Sequence, residues 1–444
     1  MNFHVITFGC QMNVCDSEWL EYILEARGWT KVPEEEAEVF VVNTCSVREK
    51  PEQKVYSLLG RLKGYLEQNP EVFVAVGGCV AQQIGREFWK RFPFVRLVFG
   101  TDGVAFVPDA LERLARNPGL RTSLLDFKDT YPERDLSLPE SIGAQAFVNI
   151  MQGCDNFCAY CIVPYTRGRQ KSRPSDFVFD ECRSLVERGA RELTLLGQNV
   201  NSYGLDKHGD GTGFAELLFR VAAIPGLNRL RFTTSHPKDI APEVIRAYGE
   251  LENLCPHLHL PLQAGSDRVL KSMGRKYDRA RYLDIVDGLR AARPDIALTT
   301  DLIVGFPGET EEDFCQTLEM VERVGYESSF SFKYSDRPGV RAEKMDFKIP
   351  EEVKGRRLSE LQELQNRLTI EALNRRVGRD CTVLVEGPSR KQEESTRFWR
   401  GRDEGGRVVN FELDRSDMTG KLVPVRIREA KKHSLSGEVR GEPW

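Results

Sequence analysis

The chain has 444 residues, 40% hydrophobic and 29% charged, which makes it too long for one ordinary core and too apolar to stay disordered. A net charge of −4 by itself says nothing about nucleic acid. With no apolar run long enough to span a bilayer and no secretory pattern at Met1-Asn2-Phe3-His4, a soluble, cytoplasmic protein of about two to four domains is expected.

The first segment alternates strands and helices. Residues 3–9, 38–44, 72–78 and 95–99 read as near-continuous apolar strands, with helical spacing over 17–27 and from about 52 to 67. Such strands between helices predict an open parallel sheet covered on both faces. Cys10, Cys45 and Cys79 end the first three strands. The carboxyl ends of parallel strands line one edge, so three thiols distant in sequence are expected on one patch. They form a three-ligand metal site that is one ligand short of closure; three buried cysteines acting as small hydrophobes are the alternative. Asn13, Asn43 and Gln82 share these loops and could hydrogen-bond around the site.

A polar, proline-punctuated stretch, residues 118–139, reads as a linker between a first domain at 1–117 and a core at 140–372. An apolar strand over 146–151 leads into Gly153-Cys154-Asp155-Asn156-Phe157-Cys158-Ala159-Tyr160-Cys161. Cysteines at C-x3-C-x2-C can only wrap one shared centre, and thiolates suit iron–sulfur clusters. Three ligands on a four-iron cluster leave one iron open, a place for chemistry rather than electron transfer alone. A structural zinc knuckle would want a fourth Cys or His nearby, and none occurs between residues 147 and 181. Eleven cysteines, odd in number and unevenly grouped, also argue against a disulfide framework. Cys15, Cys182, Cys255, Cys315 and Cys381 have no partner spacing and read as structural.

Further strands follow at 192–197, 229–234, 257–262, 297–304 and 328–334, so six strand–helix units predict a partial (β/α)6 barrel. Polar residues gather at the carboxyl ends: Gln198-Asn199, Ser235-His236, Gln263 and residues 305–309. Gln198, Ser235 and Gln263 are candidate ligand contacts, with turn or cap chemistry as the alternative. Gly308-Glu309-Thr310 reads as a turn opening a helix, and His236, His257 and His259 as packed histidines rather than metal ligands. A charged helix over 350–376 keeps Leu358, Leu361, Leu364, Leu368 and Leu373 on one face, as a cap on the barrel would.

Residues 375–438 change to short strands, 381–386, 396–401, 407–413 and 421–429, which predict a small antiparallel barrel. From residue 375 to the end there are 16 Lys/Arg against 12 Asp/Glu, so this appendage is +4 on a body of −8. Its Arg397, Trp399, Arg400, Arg402, Arg426 and Arg428 suit stacking and phosphate neutralisation on RNA, although Trp399 fits a core position equally well.

With Tyr160 as the aromatic, C-x3-C-x-aromatic-C resembles the signature of radical S-adenosylmethionine (SAM) enzymes. Residues 162–168 and Ser172-Arg173-Pro174 resemble the methylthiotransferases in particular, as do residues 7–13, 43–50 and 78–83. Residues 375–438 resemble a TRAM domain, and the likeness covers about residues 3–439. Two departures from the family pattern are visible, the pair Val14-Cys15 and Val340. The resemblance implies two 4Fe-4S clusters, one on Cys154, Cys158 and Cys161 that binds SAM and one on Cys10, Cys45 and Cys79 that carries the sulfur. It places Tyr160 near the adenine of SAM, with a plain core aromatic as the alternative, Gln198, Ser235 and Gln263 as further SAM contacts, and no catalytic residue beyond the cluster ligands. Residues 163–168 and 196–203 look like the branch that methylthiolates isopentenyl-adenosine in the tRNA anticodon loop. A monomer served by an electron donor such as flavodoxin or ferredoxin is then expected, with the sulfur source left open. The rival readings are a methylthiotransferase acting on threonylcarbamoyl-adenosine tRNA or a ribosomal protein, and a non-enzymatic RNA-binding iron–sulfur sensor.

Overall fold

The computed structural model describes residues 1–46, 49–132, 142–389 and 397–444, without the side chains of 49–52. Val47 and Arg48 of the second cysteine motif, residues 133–139 of the expected linker, the start of the expected core at 140 and of the expected strand at 396 lie outside them.

Strands β1 (Asn2–Phe8), β2 (Thr30–Lys31), β3 (Val39–Thr44), β4 (Phe73–Gly78), β5 (Val95–Phe99) and β6 (Thr122–Leu124) form one parallel sheet in the order β2-β1-β3-β4-β5-β6. The period of two sends alternate residues to opposite faces. Phe40, Val42, Val74 and Val76 pack under the helix Glu49–Gln68, while Val39, Val41, Phe73 and Ala75 pack with Leu20, Leu24, Leu111 and Leu114 of the helices Gln11–Glu25 and Val107–Arg116. β3 and β4 are buried along their whole length, which is why they read as unbroken apolar runs. The short edge strands β2 and β6 carry no readable pattern, and β6 lies inside the stretch that reads as a linker.

The second body contains β7 (Gln145–Asn149), the short hairpin β8 (Met151–Gln152) and β9 (Lys171–Ser172), then β10 (Glu192–Leu196), β11 (Arg229–Thr233), β12 (His257–His259), β13 (Ala297–Val304) and β14 (Ser328–Lys333). Two parallel three-stranded sheets, β11-β10-β7 and β12-β13-β14, meet where Leu230 bridges Leu254. A helix or helix pair separates each successive parallel strand, from Ser175–Glu187 to Glu311–Val324, as a partial (β/α)6 barrel requires. β12 stops earlier than its apolar run because the ladder slips after Leu260: Leu262 N–H turns to the Thr300 hydroxyl at 2.9 Å, and Gln263 N–H takes the Asp301 carbonyl instead.

The helix Glu351–Asn374 packs on β14, and its Arg357 forms a buried ion pair with Glu309 at 2.7 Å. Leu361 lies in the barrel core and Leu373 in the core of the next domain, so one helix joins the two. Thr310 and Asp313 make a capping box, the turn chemistry expected at residues 308–310.

The last domain is a closed barrel of β15 (Asp380–Pro388), β16 (Phe398–Arg402), β17 (Val408–Glu412), β18 (Leu422–Ala430) and β19 (Leu435–Val439), in the order β15-β16-β17-β19-β18. The fifth strand was not expected, and its pairing with β17 is parallel while the other four pairings are antiparallel. It closes the barrel through Gly437, where a Cβ would lie 2.3 Å from the Val425 side chain. This domain docks at the amino-terminal ends of the larger barrel's strands. Arg229 donates to the Arg402 and Thr382 carbonyls at 3.0 and 2.6 Å, and Arg407 Nε donates to Glu327 at 2.8 Å.

Candidate metal centre

The C-x3-C-x2-C loop starts at Gly153, whose φ is 81° and where a Cβ would lie 2.1 Å from the Arg169 carbonyl oxygen. Only glycine fits that turn. The Gly153 N–H donates to Gln198 Oε1 at 2.5 Å, Cys154 N to the Gly168 carbonyl at 3.3 Å, and Asp155 accepts from Arg169 at 2.7 Å. Ala159 is tied on both sides, its N–H to the Met273 carbonyl and its carbonyl to the Ala342 N–H, each at 2.8 Å. Burial pushes the Cys161 thiol up to about 12, with the neighbouring Cys158 and Cys154 adding to the effect, and burial also raises Cys154. The three thiols therefore feel one another, as ligands of one centre would. A metal that takes them as thiolates must displace their protons.

Arg275 lies buried beside this loop. Its Nη1 is 3.5 Å from both Cys158 Sγ and the Tyr160 hydroxyl, Nη2 donates to the Pro261 carbonyl at 3.1 Å, and Nε to the Tyr277 hydroxyl at 3.0 Å. The Tyr277 ring meets His236 edge-on at 5.5 Å. His236 Nδ1 accepts from Lys238 N at 3.2 Å, which leaves the proton on Nε2. That Nε2 and the Oγ of neighbouring Ser235 are buried without a partner among the described residues. Orphaned buried polar groups at strand ends suit a polar ligand.

Of the candidate contacts, Ser235 lies just past the carboxyl end of β11 with its hydroxyl buried, and Gln263 follows β12 with a left-handed φ of 71°, its backbone held to Asp301 and Ile303 at 2.8 Å. Gln198 instead holds the cysteine loop, and the Tyr160 hydroxyl faces Arg275. Arg275 is the residue that reading the sequence missed. It follows Gly274, the left-handed C-cap of the helix Asp267–Met273, away from any strand end or cysteine. His257 and His259 are packed as expected, with His259 Nδ1 3.0 Å from Thr299 Oγ1.

The second trio is assembled by the sheet. Cys10 is the N-cap of Gln11–Glu25, Cys45 directly follows β3, and Cys79 begins the helix Cys79–Ile84 with no loop after β4. The turn at Gly78 has φ 88°, and a Cβ there would lie 2.3 Å from the Thr44 carbonyl oxygen. Asn13 and Asn43 knit the edge together. Asn13 Oδ1 accepts from Cys10 N at 3.3 Å and its Nδ2 donates to the Thr44 carbonyl at 3.1 Å, while Asn43 Nδ2 donates to the Asn13 carbonyl and to Ser17 Oγ at 2.9 Å. Gln82 turns away, to the Leu125 carbonyl at 2.8 Å. The Cys45 thiol, by hydrogen bonding, holds the Cys10 thiol down to about 5, with Arg167 assisting. Among the described residues no three ligating side chains are spaced for a single metal ion. A polynuclear cluster does not need that spacing, because each thiolate takes its own iron.

The segment that follows the first trio meets the edge carrying the second across a domain interface. Arg167 follows the short helix Val163–Thr166, which packs on Cys79–Ile84, and its Nη2 is 3.2 Å from Asp16. Lys171 Nζ is 2.6 Å from Asp102 in a second buried ion pair, which Gln152 joins. Cys15 contributes apolar contact here with Met12, Leu196 and Phe147. At the far end of the molecule, Trp399 belongs to the barrel core, its Nε1 donating to the Leu413 carbonyl at 3.0 Å, so it offers no stacking face. Arg402, Arg426 and Arg428 each pair with a carboxylate.

Comparison with known proteins follows this anatomy. Residues 148–321 match the Radical SAM superfamily, residues 2–100 the Uncharacterized protein family UPF0004, and residues 374–439 the TRAM domain. Among solved structures, the radical S-adenosylmethionine methyltransferase TsrM from Kitasatospora setae has the same fold at 15% identity, TM-score 0.56, over 77% of both chains. The tRNA-2-methylthio-N(6)-dimethylallyladenosine synthases of Nitratidesulfovibrio vulgaris and Oleidesulfovibrio alaskensis are 64% and 62% identical, over 100% and 99% of this chain and 99% and 98% of theirs. With its SAM-type cysteine loop, its N-terminal thiol edge and its C-terminal barrel all matched, the chain belongs to the tRNA-2-methylthio-N(6)-dimethylallyladenosine synthase family of radical SAM enzymes.

Proposed function

We propose that this enzyme replaces the C2 hydrogen of isopentenyl-adenosine, next to the tRNA anticodon, with a methylthio group. The reading rests on one observation above the others: the loop 153–168 carries one three-thiol site and, through Arg167 and the helix Val163–Thr166, meets the edge that carries a second, each one ligand short of closure. Cys154, Cys158 and Cys161 would hold one 4Fe-4S cluster with SAM, and Cys10, Cys45 and Cys79 a second. An aromatic C–H is not acidic enough for a side-chain base, so the clusters with SAM supply radical and sulfur chemistry that the side chains cannot.

The protein's own part is binding and orientation. Gln198 and Gly153 fix the loop that presents the first trio, and Arg275 neutralises the field beside it. The Ser235 hydroxyl, the His236 N–H and Gln263 meet SAM or the nucleobase at the barrel mouth. Tyr160 packs nearby with Arg275 on its hydroxyl. An adenosine in a single-stranded loop can be splayed into such a mouth. The functional units under this reading are 1–117 for the second cluster, 118–139 as connector, 140–372 for SAM chemistry and 375–438 for tRNA. No helix among the described residues is long and apolar enough to cross a membrane. A cytoplasmic monomer fed electrons by a flavodoxin or ferredoxin completes the proposal.

The test is anaerobic incubation of the reconstituted enzyme with SAM, a reductant and tRNA carrying isopentenyl-adenosine, followed by nucleoside mass spectrometry. A methylthio mass gain on that nucleoside is expected. A gain only on threonylcarbamoyl-adenosine tRNA or on ribosomal protein would move the chain to another substrate. RNA binding with no SAM turnover would make it a sensor.

A further inference from the structure

Arg167 is a buried cation, its side chain 3% exposed, supplied by the barrel domain to an edge built by the other domain. One arm of its guanidinium is spent on Asp16, Nη2 to Oδ2 at 3.2 Å. The other, Nη1, is buried with no hydrogen-bond partner among the described residues. Its surroundings are crowded with acceptors of positive charge. Cys10, Cys45, Cys79 and Asp16 all lie within electrostatic reach of it. Its carrier helix Val163–Thr166 packs on the helix that Cys79 begins, and Asp16 lies on the helix that Cys10 caps. A single carboxylate cannot account for a fork with one arm unspent.

We propose that Arg167 is a positioning residue of the second centre: its Nη1–H donates to the sulfur face of the cluster held by Cys10, Cys45 and Cys79, while Asp16 fixes the guanidinium plane. The inference rests on the reading that these cysteines hold a cluster. Three thiolates make such a cluster anionic, and each electron added makes it more so. A fixed N–H donor and a fixed positive charge favour the reduced, more negative state, so Arg167 raises the potential of this centre. Because Arg167 belongs to the barrel domain, the second centre is electrically complete only when the two domains are docked.

The experiment uses the full chain with Cys154, Cys158 and Cys161 changed to Ala, so that only the second centre loads, reconstituted anaerobically with iron and sulfide. Iron per chain is counted, and the midpoint potential is read by titration followed by electron paramagnetic resonance. The parent is expected to bind about four irons. Arg167→Gln is expected to keep them and to shift the potential to more negative values, with Arg167→Lys in between. Asp16→Asn breaks the same ion pair but keeps the guanidinium and removes a negative charge, so its potential should stay or move the opposite way. An unmoved potential in Arg167→Gln, or an equal negative shift in Asp16→Asn, overturns the proposal in favour of a merely structural ion pair. If Arg167→Gln loses its iron, retention by Arg167→Lys and Asp16→Asn supports the proposal, and loss from Asp16→Asn overturns it. A parent that binds no iron overturns the second cluster itself, and the role of Arg167 with it.

Discussion

The two cysteine trios solve one chemical problem by opposite routes. Cys154, Cys158 and Cys161 sit within one short loop, held by its own turn at Gly153 and a few latches such as Gln198. Cys10, Cys45 and Cys79 come together only because β1, β3 and β4 are adjacent, parallel and in register. The first site is a property of a local segment. The second is a property of a whole sheet, and a slip of one residue between β3 and β4 would turn a thiol to the wrong face. Both turns use a glycine with positive φ immediately before a cysteine, Gly78 and Gly153, since each cysteine must leave its strand sharply. One lesson is that the loop site should tolerate damage to the sheet, while the sheet site should not tolerate damage to the sheet or to domain docking.

The largest expected effect tests independence directly. Wild-type protein should bind about eight irons and each of Cys154→Ala and Cys45→Ala about half that number. Only Cys154→Ala should also abolish reductive SAM cleavage, measured as 5′-deoxyadenosine formed; loss of all iron from either variant would mean that the sites assemble as one. Next comes the interface between them. Asp102→Ala leaves Lys171 buried and unpaired, so stability should fall by about 3–5 kcal/mol in denaturant unfolding. Retention of full stability would show that this ion pair does not clamp the domains.

A smaller effect sharpens the contrast. Asn43→Ala removes donors to the Asn13 carbonyl and Ser17 and leaves both underused, at about 1–3 kcal/mol. Iron should fall at the sheet site in a Cys154→Ala background and stay constant at the loop site in a Cys45→Ala background. Equal losses in both would dissolve the distinction. Smallest is Gln198→Ala, which removes one hydrogen bond to Gly153 N–H, worth about 0.5–1.5 kcal/mol. It should weaken SAM binding by calorimetry and leave the sheet site's iron untouched, whereas unchanged SAM affinity would return Gln198 to plain turn chemistry.

Much was legible without coordinates because the relevant signals are local. The C-x3-C-x2-C spacing lies within one loop, the apolar runs of β3, β5 and β13 mark strands buried from end to end or on one face, and the leucine spacing of residues 350–376 marks a helix. Even the second trio could be inferred, since a parallel sheet places all its carboxyl ends on one edge. Short elements escaped. The strands β2 and β6 have two and three residues, too few for a period to stand out, and β19 reads Leu435-Ser436-Gly437-Glu438-Val439, with no apolar run; all three exist because a neighbouring strand offers unpaired N–H and C=O groups.

What the order of residues determined by itself was chemistry with a short reach: which cysteines could share a centre, where strands and helices alternate, and that the chain's end is a separate, more basic unit. What only the folded structure decided was which groups from distant segments meet. Arg275 reached Cys158, Arg167 turned toward the edge built by another domain, Gln198 took the loop backbone and Trp399 went into a core. The physical reason is range: periodicity and spacing act over a few residues, whereas pairing a buried charge or satisfying a buried N–H depends on whatever side chain packing brings within about 3 Å.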